Sequence, residues 1–563
     1  MSMALAVLMG ASTVAGLTAC GGPQGEKVDK TKTQIYIWNF GGGYGAEWLA
    51  AAKKRYEELH AEDTHWQEGK KGVQVMINTE KKPIDSVKGS VRYNKEDIYF
   101  AERAYYYTLL HEGVLGDMTE VVTGDNPYDN NTKTVESKLT KIQKGYYGVV
   151  EEGADGEETH YYGLPHYASY AGITYNVDLF DGMNYYFTAT PDEEAPLDDL
   201  SRWFVLSPAE TKSAGPDGVS GTYDDGLPAT YEEFFILCDY IAQDGNTPMI
   251  WNGAAYKDYL GFLMQSLQVD FEGLEQTELF YTYEGLAKNL GEVDSQGNFI
   301  PDEEDTLLSL AEGNGYEMYR TEGLYRALQF MEKLIQTSKY QTKLCFNHAY
   351  SHLNAQDDFL YAGHDGKTKP AAMLSEGVWW EAEATSTFNS MAKKKGEAFS
   401  KQNRNFAWLP LPKANSDKVG EKSTIIDHSF SLCFMKPNIK EWKKPLVIDF
   451  LKFIHSDESL VEFSQVTSTT KAFQYTMTPE QQEVMSPLGR SLYAMQERSD
   501  VVYPFASHDY YINNSSRFTM QSLYVAKSGS KDYTYYSEVF HDNKMNAISF
   551  FKGMHSYYKS NWF

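Results

Sequence analysis

Two hydrophobic periods alternate along the first part of the chain. Ile35–Phe40 is a short apolar run, and after it Leu49, Ala52, Tyr56 and Leu59 recur at helical spacing. Val73–Ile77 alternates as a strand, and Asp97–Phe100 reads as another. Strand, helix and strand in that order predict a parallel sheet with crossover helices, an α/β fold. Farther along, Thr230-Tyr231-Glu232-Glu233 forms a capping box ahead of a helix that buries Phe234, Leu237, Cys238 and Ile241. Pro445 sits in the first turn of a later helix with Phe450, Leu451 and Ile454 inward. The acidic, glycine-containing stretches Glu151–Glu158 and Glu292–Asp305 read as exposed loops, and there is no repeat of fixed period.

The chain of 563 residues exceeds what one core holds, so two or more lobes are expected. A formal charge of −27 argues against a nucleic-acid partner, which needs Lys and Arg for its phosphates. Leu5–Gly16 is uncharged and mostly apolar, too short to span a bilayer, and reads as the core of a secretory signal. The Leu17-Thr18-Ala19-Cys20 that follows resembles the lipobox of bacterial lipoproteins. That resemblance implies a signal peptide over 1–19, lipidation of Cys20 and a membrane anchor, with 20–32 as a flexible tether. Cys238, Cys345 and Cys433 are scattered and lie in apolar settings, which predicts buried free thiols. Aromatic residues make up 14%, with 42 Tyr, more than a core needs and suited to presenting flat amphipathic faces to a ligand.

Gly41–Ala46 matches G-x-G-x-x-A, and Glu80 stands where a dinucleotide site would place its acid. An exported protein meets essentially no dinucleotide, so two readings compete for these glycines. Either the backbone at Gly43 admits a ligand at the carboxyl end of a strand, with Trp38 and Tyr44 at the rim, or the loop is only a tight turn.

The opening "IYIWNFGGGYG" is followed in order by "DIYFAE", "HEGVLGDMTEVV", "YYGLPHYASYAGITYNVDLF", "LPATYEEF", "AAMLSEGVWWEAEA", "FAWLPLP" and "VIDFLKFIHSDESLVEFSQV". Together they resemble the extracellular solute-binding proteins of ABC importers, in the carbohydrate-binding branch that includes maltodextrin-binding proteins. The resemblance implies an α/β, two-lobed periplasmic-binding-protein-like fold with a hinge and a ligand cleft between lobes. Lobe one is expected over 33–170 and 425–488, lobe two over 171–424 and 489–563. It further implies a monomer that needs no cofactor, binds an oligosaccharide and delivers it to permease transmembrane subunits. Trp379, after Gly377, matches the family position where a Trp stacks on a sugar ring.

Adjacent Trp379 and Trp380 would point to opposite faces of a strand, so one is expected at the cleft and one in the core. Trp251 and Tyr170 join as aromatic candidates, and Glu102, Glu381 and Asp427 as hydroxyl acceptors. For metals, His348 and His352 are spaced to share a helix face. Asp217, Asp224 and Asp225 lie in the turn "GPDGVSGTYDDG", which resembles calcium loops of exported proteins and offers oxygen ligands for a structural Ca2+. An exported glycoside hydrolase, or a binder of a non-sugar solute, is the competing function.

Overall fold

A computed structural model describes residues 26–102, 106–153, 156–196, 198–302, 307–428, 431–503 and 523–562. The signal-peptide stretch and Cys20 lie outside the described residues. Two separate sheets organise the chain. The first runs Val73–Asn78, Thr33–Asn39, Ile98–Glu102, Ser431–Met435, Leu164–Pro165. Its first three strands are parallel, with Ile37 opposite both Ile77 and Ile98, as the βαβ pattern requires. Ser431–Met435, from far along the chain, closes it antiparallel, with Cys433 opposite Phe100.

The second sheet runs Phe406–Trp408, Ala171–Asn176, Ala371–Gly377, Thr247–Trp251. All seven residues of Ala371–Gly377 are buried, because the strand has neighbours on both edges and helices over its faces. The helix Tyr231–Gln243, which packs on the neighbouring strand Thr247–Trp251, begins where the capping box predicts: Thr230 accepts from the Glu233 N–H. Glu233 reaches back to the N–H of Ala229 at 2.6 Å. The helix Lys444–Ile454 carries Pro445 in its first turn and buries Phe450, Leu451 and Ile454.

Between the sheets the chain crosses several times in parallel tracks. Thr424–Ile426 pairs with Asp500–Val502, the His428 N–H donates to the Ser169 carbonyl at 2.9 Å, and the Asp427 N–H to the Val502 carbonyl at 2.9 Å. A few short segments connecting two rigid sheets is the geometry of a hinge.

Several local expectations are corrected. Leu59 ends its helix exposed rather than on the buried face. The acidic stretch around Glu151–Glu158 is an exposed hairpin, Gly148–Gly153 with Gly156–Tyr161. The stretch from Glu292 holds a second small hairpin, Gly291–Val293 with Phe299–Pro301. The end of the expected tether is held: Gln74 bonds the Asp29 N–H and the Lys27 carbonyl.

Candidate functional site

The opening strand delivers Gly41–Gly45 to the edge of the junction between sheets. Gly43 has φ +53, and a Cβ there would sit 2.5 Å from Glu102 Oε1. At Gly41 a Cβ would meet the Thr79 carbonyl oxygen at 2.1 Å. The glycines therefore admit the protein's own groups to the backbone, which favours the tight-turn reading. A carboxylate against Gly43 also repels a pyrophosphate, so the dinucleotide pattern does not operate as one.

Beside Gly43 the Tyr167 hydroxyl donates to Glu102. Tyr44 packs edge-on against Tyr167, centroids 4.7 Å apart, and its hydroxyl donates to Thr469 Oγ1 at 3.2 Å. Burial pushes the Tyr44 phenol well above its usual range, and the carboxylates of Glu102, Glu383 and Asp427 push in the same direction. Those acids come from three parts of the chain. Glu102 ends a strand of the first sheet, Asp427 lies on a crossing segment, and Glu383 follows the strand Ala371–Gly377 of the second sheet. Tyr167 likewise feels both Glu102 and Glu383 after the larger effect of burial.

On the second lobe, Ala371–Gly377 ends at a turn and a short helix, Trp380–Glu383. The two tryptophans are thus at a strand-to-helix corner, not on a strand, and the corner separates them. The Trp380 indole N–H donates to Thr174 Oγ1 at 3.1 Å, and its ring packs against Phe359 and Phe406. It is core. Trp379 stays half-buried and folds back over Gly377, where a Cβ would meet its ring at 2.2 Å. The Tyr259 hydroxyl hydrogen-bonds Trp379 and Glu376. Burial holds the Glu376 carboxyl well above the usual carboxylate range. Gln356 bonds Glu383 at 3.0 Å, and the Val378 N–H donates to the Tyr170 carbonyl at 3.0 Å, tying this corner to the crossing segment.

Of the residues singled out in the sequence, the structure brings together Gly43, Tyr44, Glu102, Tyr170 and Asp427, and it stands Trp379 at the corner after Gly377, bonded to Tyr259. Four others lie elsewhere. Trp38 is buried in the first sheet beside Tyr99, and Trp251 is wholly buried against Phe346. Trp380 is core, and Glu381 turns to Ser486 Oγ, with its pKa lifted to about 7 by burial. Tyr167, Tyr259, Glu376 and Glu383 were missed. Glu376 and Glu383 flank the tryptophan pair in "SEGVWWEAEA", and that adjacency could have marked them. Tyr259 sits on a helix with no comparable signal.

The metal candidates are rearranged as well. His352 begins a helix, His352–Tyr361, which leaves His348 off its face. In the acidic turn, Asp224 accepts from the Asp217 N–H and the Thr222 hydroxyl, and Asp225 from the N–H groups of Gly221 and Thr222. The carboxylates hold the turn as local caps. Among the described residues, no group of three or more His, Cys, Asp or Glu is placed to hold a metal ion. Cys238, Cys345 and Cys433 are buried free thiols, and no described helix is long and apolar enough to cross a membrane.

No protein-family model and no curated protein sequence matches the chain. Solved structures do. A chitin oligosaccharide binding protein aligns over 94% of this chain and 98% of its own, with TM-score 0.53 and 14% identity. The solute-binding protein RafE in complex with raffinose covers 94% of this chain and 99% of its own, with TM-score 0.51 and 12% identity. A probable secreted solute-binding lipoprotein from Streptomyces coelicolor covers 94% and 100%, with TM-score 0.52 and 12% identity. The fold is that of the two-lobed solute-binding proteins.

Proposed function

We propose that this protein captures an oligosaccharide outside the cytoplasm and delivers it, without chemistry, to the membrane subunits of an ABC importer. The observation that carries the reading is that Tyr44, Glu102 and Tyr167 from one lobe lie within the field of Glu383 from the other, beside Asp427 on a crossing segment, with Trp379 at the corner that carries Glu383. Carboxylates accept hydrogen bonds from sugar hydroxyls, tyrosine hydroxyls donate or accept, and a half-exposed indole offers an apolar face to the C–H side of a pyranose. The neighbours named for chitin oligosaccharide and raffinose support the same ligand class.

In this reading 33–170 and 425–488 make lobe one, and 171–424 with 489–563 make lobe two. Ligand contacts made only when both walls meet select the closed state of the hinge. A thermal-shift screen with plant, host and starch oligosaccharides tests it, since a ligand of the folded state raises Tm. One glycan class is expected to raise Tm and to be recovered intact. Cleaved glycan would make the protein a hydrolase, and no response to any glycan would overturn the assignment.

The lipobox-like Leu17–Cys20 supports anchoring through a lipid on Cys20. Cys20→Ala is expected to shift the protein from the membrane fraction to the medium or leave its precursor unprocessed. An acylated, membrane-bound Ala variant would refute the anchor.

A further inference from the structure

The long helix Tyr256–Thr282 is interrupted once, at Gly273, whose φ of 75° and ψ of 178° are not helical. Only glycine adopts this conformation without strain. The break lies beside a small cavity lined from both halves of the helix, by Gln265, Gln268 and Glu272 before it and by Gln276 and Thr277 after it. Thr321 closes another side.

All six of these polar side chains are more than nine-tenths buried. Some are spoken for. Gln268 Oε1 accepts from the Tyr524 hydroxyl at 3.0 Å, and Gln276 bonds both the N–H and the carbonyl of Lys288. Three are not. Gln265 gives its Nε2 to the Tyr281 hydroxyl at 2.6 Å, which leaves its Oε1 with no partner among the described residues. Thr277 Oγ1 and Thr321 Oγ1 have none either. An unpaired buried acceptor costs about 1–3 kcal/mol, so native proteins rarely leave three beside one cavity.

The third element is charge. Glu272 Oε1 accepts from the Gly323 N–H at 2.7 Å, at the N-terminus of the helix Glu322–Gln336. That end of a helix favours an ionised carboxylate. A Cβ at residue 323 would stand 2.4 Å from the same oxygen, so glycine is what lets the carboxylate in. Among the described residues Glu272 forms no ion pair. Lys418, whose field reaches it, pairs with Glu421 instead.

We propose that this cavity binds one monovalent metal cation, Na+ or K+, held by Glu272, Gln265 Oε1 and Thr277 Oγ1. Hard cations take oxygen donors, and every unpaired atom named here is an oxygen. One carboxylate among neutral oxygens balances a single positive charge, whereas a divalent ion would stay undercompensated. The site is remote in kind from the sugar-binding surface, where the carboxylates meet tyrosines and an indole. Its role is to hold the two halves of the broken helix together.

The test is thermal melting of the full chain at pH 8 and constant ionic strength in NaCl, KCl, N-methylglucamine chloride, and N-methylglucamine chloride with millimolar CaCl2. Na+ or K+ is expected to raise Tm saturably over N-methylglucamine, by about 1–2 °C when the ion is roughly ten times its dissociation constant. Glu272→Gln and Thr277→Val each abolish or weaken that increment, whatever their own Tm. Equal Tm in all four salts would mean that the cavity takes only water, and a response to Ca2+ alone would overturn the monovalent assignment. An increment unchanged in both variants would place the ion elsewhere. None of these readouts depends on a glycan, so failure here leaves the sugar-binding reading standing.

Discussion

Trp379→Ala lowers glycan affinity about ten- to a hundred-fold and leaves the protein folded. An indole face under a sugar ring contributes roughly 1–3 kcal/mol, by analogy with aromatic pairing and apolar burial. Trp379 is the half-buried member of the pair, folded over Gly377 and oriented by Tyr259. Trp380→Ala gives the opposite pattern. Its ring is wholly buried among Phe359, Phe388 and Phe406, and removing it costs about 3–5 kcal/mol of stability. Titrations and urea melts of the two variants separate these effects. A Trp379→Ala protein that binds its glycan like wild type ends the stacking assignment and leaves the tyrosines of the cleft to carry the site.

Lys471→Met raises stability at neutral pH by on the order of a few kcal/mol and removes a pH dependence that wild type shows. Lys471 is fully buried. Its Nζ hydrogen-bonds His166 Nδ1 at 2.6 Å and lies 4.5 Å from the ring centroids of both Trp48 and Phe463. The rings favour a cation, but burial is the larger effect and holds the ammonium down to about 7, against 10.5. The folded chain then binds fewer protons than the unfolded chain between about pH 7 and 10.5. Stability therefore rises with pH across that window, and below about pH 7 the whole penalty is present. The buried carboxyls work in a different range. Glu381, lifted to about 7 from 4.5, loses stability as pH rises from about 4.5 to 7. Urea melts at pH 7 and pH 9 isolate the lysine. A wild type no more stable at pH 9, or a Met variant with the same increment, would show that Lys471 stays charged where it lies.

Much of the architecture is readable along the chain because it depends on near neighbours. The apolar run before Gly41, the helical spacing of Leu49, Ala52 and Tyr56, the Thr230 cap and Pro445 each state a local preference that the folded protein keeps. The buried free thiols follow from their apolar surroundings in the same way.

What the tertiary structure decided depends on groups far apart in sequence. Trp379 and Trp380 are chemically alike, and only the corner after Gly377 sends one into the core and leaves the other half-exposed. The glycine loop fits a phosphate, a ligand or a plain turn until Glu102, 59 residues later, fills the space over Gly43. Asp217, Asp224 and Asp225 look like ion ligands in a row, yet backbone N–H groups and the Thr222 hydroxyl within the same turn bond their oxygens. Glu383 meets Tyr44, and Lys471 meets Trp48, only because two lobes and their crossing segments bring them together. Periodicity and caps are local energies and are written in order along the chain. Burial, a shared electric field and an unpaired oxygen are properties of a place in space, and that place exists only once the chain has folded.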